Sequence, residues 1–193
     1  MLLTVMIASM AIGSDPTNSP LADIGPAPGT VLVDASGKSF DLSSLRGKAV
    51  LVSFIYTTCN GTCPGTTQAM TRVQKALDQA GLWGKSSAFV SITMDPAHDS
   101  GKVLQQYARL FRAENPDWHF LTGPSEEIHR VIRDWDMWVK PLPGGGLDHP
   151  SRVFLLDPQG HIREIYNLEF LQPKAVVEDV RGLIAPGQKP PDP

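Results

Sequence analysis

A nearly continuous apolar run at residues 48–56 does most to limit the folds open to this chain. It reads KAVLVSFIY, the pattern of a central strand that is buried on both faces of a sheet. A second apolar run, FVSITM, occupies residues 89–94 and predicts another buried strand. Strands of this kind need covering layers on both sides, so the sequence favours a layered α/β domain.

Helical and strand patterns alternate through the rest of residues 27–185. Apolar residues recur at helical spacing in four segments. The first segment follows Cys63, the second covers about 100–113, the third begins at Ser125, and the fourth covers about 173–184. Two hairpin patterns lie at 31–42 and 152–166, and a Gly/Pro loop lies at 141–146. This order predicts an α/β fold, a thioredoxin-like three-layer sandwich with an N-terminal β-hairpin.

The two ends of the chain differ in composition from this domain. Residues 1–26 join an uncharged apolar stretch, residues 1–13, to a Pro-rich linker. The stretch is too short to span a bilayer, but it fits the apolar part of a secretory signal or the remnant of a membrane anchor. A buried N-terminal segment is the alternative. Residues 186–193 predict a disordered Pro-rich tail. We therefore expect an exported protein, periplasmic or at the outer face of the cytoplasmic membrane.

Charge and cysteine content exclude several classes of protein. The chain carries 17 Lys and Arg against 20 Asp and Glu, a net charge of −3, with no dense basic run. Binding to nucleic acid through phosphate neutralisation is therefore not expected. Two cysteines are too few for a disulfide scaffold or a four-thiolate zinc site. A monomer is the default expectation.

Those two cysteines, Cys59 and Cys63, stand where the first buried strand gives way to a helix. If Cys63 lies in the first helical turn, both sulfurs can converge at the helix N-terminus. Free N–H groups and the helix dipole stabilise thiolate there. Thiolate attacks disulfides and also binds soft metals. A metal site, a redox pair and a structural disulfide remain open from these residues alone, and exposure favours Cys59 as the more reactive thiol.

Further motifs, taken with the cysteine pair, resemble the Sco/SenC family. They are FIYTTC at 54–59 with Cys63-Pro64, MDPAHD at 94–99, LTG at 121–123, Asp148-His149, and FLLD at 154–157 with Gly160. The members of this family are thioredoxin-fold copper metallochaperones that help assemble the binuclear copper centre of cytochrome c oxidase. The resemblance covers about residues 27–185 and is specific because the motifs occur together and in order.

The resemblance implies a site and a partner. Cys59, Cys63 and His149 would be ligands of Cu(I) or Cu(II), and the partner would be the copper-site subunit of cytochrome c oxidase or another copper or thiol protein. Asp95 and Asp99 match the family's acidic motif, which would shape the loop facing the site or a partner surface. Without the resemblance, these two aspartates could simply cap the next helix.

Two positions depart from the family pattern. Asn60 stands where Pro usually follows the first cysteine, and Gly61 loosens the same loop. Pro150 follows His149 where Ser or Thr is commoner. In thioredoxin-like oxidoreductases a cis-proline faces the cysteine pair. We therefore hypothesise that His149 and Pro150 lie against the two cysteines and are joined by a cis peptide bond.

Two functions follow. A metallochaperone would bind copper through two thiolates and one imidazole and pass it on by ligand exchange. A thiol–disulfide oxidoreductase would attack a disulfide of an oxidase subunit or another exported partner with one cysteine and resolve it with the other. Copper binding should need His149, whereas disulfide exchange should not. A thioredoxin-fold peroxidase is less well supported, because no peroxide-binding pattern surrounds Cys59. We expect a metallochaperone rather than an enzyme.

Overall fold

The computed structural model describes residues 21–59, 61–143 and 145–184. The expectations for the apolar stretch at 1–13 and for the tail at 186–193 therefore lie outside the described residues. Within the described part, no helix is both long enough and apolar enough to cross a membrane.

Strands and helices follow one another in nearly the predicted order. The strands are β1 (Gly25–Pro26), β2 (Val31–Asp34), β3 (Ser39–Asp41), β4 (Ala49–Ile55), β5 (Ser87–Thr93), β6 (Trp118–Thr122), β7 (Lys140–Pro141), β8 (Leu147–Asp148), β9 (Val153–Leu156) and β10 (His161–Tyr166). The helices are α1 (Thr62–Gln79), α2 (Gly101–Leu110), α3 (Ser125–Asp134) and α4 (Pro173–Ile184), with a short 3-10 helix at Leu42–Leu45.

Eight of these strands form one mixed sheet in the order β1-β10-β9-β4-β5-β6-β2-β3. β4 is parallel to β5, and β5 is parallel to β6. Helices α1 and α2 make the crossovers that such parallel neighbours require. β2 and β3 form the predicted N-terminal hairpin, which joins the sheet through antiparallel pairing of β2 with β6.

The core lies on both faces of the two central strands. All seven residues of β4 and all seven of β5 are buried, as expected for strands covered on both sides. Helix α1 packs against α4, and α2 packs against β6. The prediction of a thioredoxin-like α/β sandwich is therefore confirmed.

The segment interpreted as a Gly/Pro loop is more ordered than predicted. It connects β7 to β8, which pair through Lys140 with Asp148 and Pro141 with Leu147. Gly145 and Gly146 turn the chain between them with φ angles of 97° and 86°, values that favour glycine. This small hairpin, residues 140–148, ends immediately before His149.

Candidate metal centre

The two cysteines lie at the carboxyl end of β4. The chain leaves β4 at Ile55, and α1 begins at Thr62, so Cys63 lies in the first helical turn. Cys59 is 8% exposed and Cys63 is 1% exposed. Both thiols are free in the structure.

His149 reaches the pair from the end of β8, a distant segment of the chain. Its Nε2 lies 3.4 Å from the sulfur of Cys63, and the ligand atoms of Cys59, Cys63 and His149 all lie within 4.8 Å of one another. The Nδ1 of His149 is 2.9 Å from the carbonyl oxygen of Pro150. Because a carbonyl can only accept, Nδ1 carries the proton and Nε2 presents its lone pair to the sulfurs. This tautomer is the one that a metal ligand needs.

The hypothesis of a cis bond before Pro150 is wrong. None of the described residues is joined by a cis peptide bond. A trans bond is the ordinary state of an X-Pro pair, and β8 already delivers His149 to the cysteines. Pro150 supports the imidazole through its carbonyl oxygen.

The two thiols differ in acidity. Burial opposes ionisation of Cys59, but hydrogen bonds from the backbone N–H groups of Cys63 and Gly61 and from the Tyr56 hydroxyl outweigh it, so the pKa of Cys59 falls below its usual value. The Gly61 nitrogen lies 3.2 Å from the Cys59 sulfur. Burial raises the pKa of Cys63 to about 12, and the charge of Cys59 contributes to the increase. At neutral pH, Cys59 is the nucleophilic sulfur and Cys63 keeps its proton beside His149.

This asymmetry predicts selective alkylation. In the reduced, metal-free protein at neutral pH, we expect iodoacetamide to modify Cys59 more than about tenfold faster than Cys63, because each unit of pKa changes the thiolate fraction tenfold. As pH rises through the lowered pKa of Cys59, its rate should reach a plateau, whereas the rate at Cys63 should keep increasing well beyond. Peptide mapping by mass spectrometry measures both rates, and Cys59→Ser isolates the slow thiol. Equal rates at the two cysteines would contradict the assignment.

The segment between β4 and α1 that carries Cys59 is called the cysteine loop below. Asp99 lies under this loop rather than among the ligands. Its side chain is fully buried and accepts hydrogen bonds from the Thr57 N–H at 3.1 Å, the Thr57 hydroxyl, and the Thr93 hydroxyl at 2.6 Å. Burial raises the pKa of Asp99, although these hydrogen bonds act in the opposite direction. Asp99 therefore ties the turn before Cys59 to the end of β5.

Asp95, the other aspartate of the motif, has a different environment. Its carboxylate lies 2.8 Å from Nδ1 of the exposed His98. Ser100, rather than either aspartate, caps α2 by accepting from the Val103 N–H. The capping interpretation of the two aspartates is therefore wrong, and of the pair only Asp99 supports the cysteine loop.

Tyr56 is a site residue that the sequence analysis missed. Its hydroxyl oxygen lies 3.1 Å from both the backbone nitrogen and the carbonyl oxygen of Leu147. Its ring meets the His149 imidazole edge to face, with centroids 5.7 Å apart. The available signal was its position three residues before Cys59, at the end of the buried run.

An open cavity of about 520 Å³ gives access to the site. The cysteine loop lines one side through Tyr56, Thr58 and Cys59, and the 140–148 hairpin and His149 line the other. Cys59 and His149 can therefore meet a side chain that a second protein inserts between the loop and the hairpin.

The chain resembles known proteins in both sequence and fold. The profile of the SCO1/SenC family matches residues 30–185. The SCO1 protein homolog of Bacillus subtilis is 33% identical over 134 residues, 68% of each chain. The structure of Bradyrhizobium japonicum ScoI with copper bound is 25% identical, with a TM-score of 0.71 over 82% of this chain and 99% of that one. BsSco, described as a Sco-family cytochrome c oxidase assembly protein with a disulfide switch, is 27% identical, with a TM-score of 0.74 over 86% of this chain and 97% of that one.

Proposed function

The chain belongs to the SCO1/SenC family, and from this premise we propose that it is a copper-binding metallochaperone. The observation that carries the proposal is the convergence of Cys59, Cys63 and His149, whose ligand atoms lie within 4.8 Å of one another beside an open cavity. The copper bound to ScoI of B. japonicum, a protein of the same fold, supports the choice of metal.

The donor set suits copper in both oxidation states. Thiolate sulfur is the soft ligand that Cu(I) prefers, and imidazole nitrogen is a good ligand for Cu(II). The Nδ1–H of His149 is held by the Pro150 carbonyl, which leaves Nε2 free to bind. Cys63 must lose its proton when the metal enters, so copper affinity should rise with pH.

The proposed client is the copper-site subunit of cytochrome c oxidase or another copper or thiol protein. The description of BsSco as an oxidase assembly protein supports this choice. Copper would leave by ligand exchange, with a client thiolate entering the cavity beside Cys59 and replacing this chain's ligands one at a time.

We also propose that the protein acts outside the cytoplasm. The apolar stretch at residues 1–13 would serve as an export signal or membrane anchor. In this arrangement, residues 1–26 lead to a single folded domain at 27–185, which faces the periplasm or the outer face of the membrane as a monomer.

The lowered pKa of Cys59 favours a second candidate function, thiol–disulfide exchange. The Cys59 thiolate would attack a client disulfide, forming a mixed disulfide and releasing one client thiolate. Cys63, after giving its proton to that leaving thiolate, would attack the Cys59 sulfur and release the second client sulfur. The client would then be reduced and the Cys59–Cys63 pair oxidised.

His149→Ala separates the two functions. In a titration of the reduced domain with Cu(I) against a chelator, we expect one copper per wild-type chain and an affinity lowered at least about 10–100-fold in the variant. Reduction of a small aromatic disulfide should stay within about twofold of wild type, because that reaction needs only the two sulfurs.

The control for this experiment is His161→Ala. His161 lies at the start of β10 and pairs with Asp23, away from the ligands, so neither copper binding nor disulfide reduction should change. An unchanged copper affinity in His149→Ala would contradict the three-ligand site. No stoichiometric copper binding by the wild type, with disulfide reduction intact, would favour the oxidoreductase.

A further inference from the structure

Tyr56 joins the cysteine loop to the hairpin at 140–148. The Leu147 N–H donates to the Tyr56 hydroxyl oxygen, and the hydroxyl can donate back to the Leu147 carbonyl, both over 3.1 Å. Among the described residues, these are the only hydrogen bonds that connect the hairpin to the cysteine loop. One phenol therefore supplies the hydrogen bonds that join the hairpin to the cysteine loop.

The same side chain also contacts one of the three ligands. Its ring lies edge to face against His149 at 82°, a favourable aromatic geometry that limits rotation of the imidazole.

Burial fixes Tyr56 in this position. The side chain is only 5% exposed, and it follows directly after the seven buried residues of β4. A residue that directly follows a buried strand thus reaches across the site to a hairpin of two-residue strands.

We propose that Tyr56 is a positioning residue that holds the His149-bearing hairpin against the cysteine loop and so keeps the three copper ligands assembled. The effect of Tyr56 on copper binding rests on the proposed function. The attachment of the hairpin to the cysteine loop through Tyr56 does not require copper.

Tyr56→Phe tests the proposal because it removes the hydroxyl and keeps the buried ring. In the metal-free protein, we expect the Leu147 amide to exchange with solvent about tenfold faster or more, since it loses its acceptor. In the copper-loaded protein, we expect a shifted Cu(II)–thiolate charge-transfer band and copper dissociation faster by about 10–100-fold, the usual effect of losing a supporting residue.

Tyr166→Phe is the matched control. Tyr166 is also 5% exposed, and its hydroxyl donates to Asp179 of α4, away from the ligands. This variant should lose stability without changing the Leu147 exchange rate or the copper spectrum. A spectrum and an exchange rate in Tyr56→Phe equal to those of the wild type would overturn the proposal. Failure of the wild type to bind copper would refute the proposed function, while the exchange of Leu147 would still decide the role of Tyr56.

Discussion

Cys63→Ser is expected to remove high-affinity copper binding, with a loss larger than the roughly 100-fold that follows from removing a supporting residue. A serine hydroxyl is a hard oxygen donor that stays protonated, whereas Cu(I) selects soft thiolate sulfur. The Cys63 sulfur is also the one in contact with His149, 3.4 Å from Nε2. The substitution therefore breaks the link between the two halves of the site.

Chelator competition for Cu(I) and the Cu(II)–thiolate absorption band measure this effect. Thr62→Ser, one residue earlier on the cavity wall, is the matched control, because it changes a side chain of the same turn without removing a donor. Copper bound to Cys63→Ser at one ion per chain with wild-type affinity would show that the ligands lie elsewhere.

The placement of the cysteines could be predicted because it depends on local sequence. A buried strand followed at once by a helix fixes where the turn lies, and spacing of four residues brings Cys63 into the first turn of α1. The order of helices and the N-terminal hairpin were predictable for the same reason, since each follows from a periodic pattern within one segment.

The support for the site depends on tertiary register, which a sequence pattern does not contain. Parallel pairing of Ile55 with Thr93 aligns the ends of β4 and β5, and only this alignment brings Asp99 under Thr57. The 140–148 hairpin escaped prediction because its strands have two residues each, and Pro141 argues against a strand. The role of Tyr56 depends on this hairpin, because its hydroxyl bonds to Leu147.

Asp99→Ala is expected to lower the free energy of unfolding by about 2–4 kcal/mol. The substitution removes the common acceptor of three hydrogen bonds and leaves the donors of Thr57 and Thr93 unsatisfied, with Thr93 fully buried. Asp99→Asn keeps the size and one acceptor oxygen, so its loss should be smaller, about 1–2 kcal/mol. Urea denaturation followed by tryptophan fluorescence measures both values.

The stability contributed by Asp99 should also depend on pH. Burial raises the pKa of Asp99 in the folded protein above its unfolded value of about 3.9, so the folded state binds the proton more tightly. The stability that this tighter proton binding contributes is fully present below the unfolded pKa of Asp99, and it is lost as pH rises through the folded pKa. The stability difference between wild type and Asp99→Asn should therefore become less favourable to the wild type as the solution is taken from acid toward neutral pH.

Asp95→Ala provides the control from the same motif. Asp95 contacts the exposed side chain of His98, and ion pairs with exposed partners contribute little to stability, so the unfolding free energy should change little. Because Thr57 lies two residues before Cys59, Asp99→Ala should also weaken copper binding, whereas Asp95→Ala should leave it unchanged. Equal losses of stability from the two substitutions would mean that the motif acts as a surface feature and that Asp99 does not hold the cysteine loop in place.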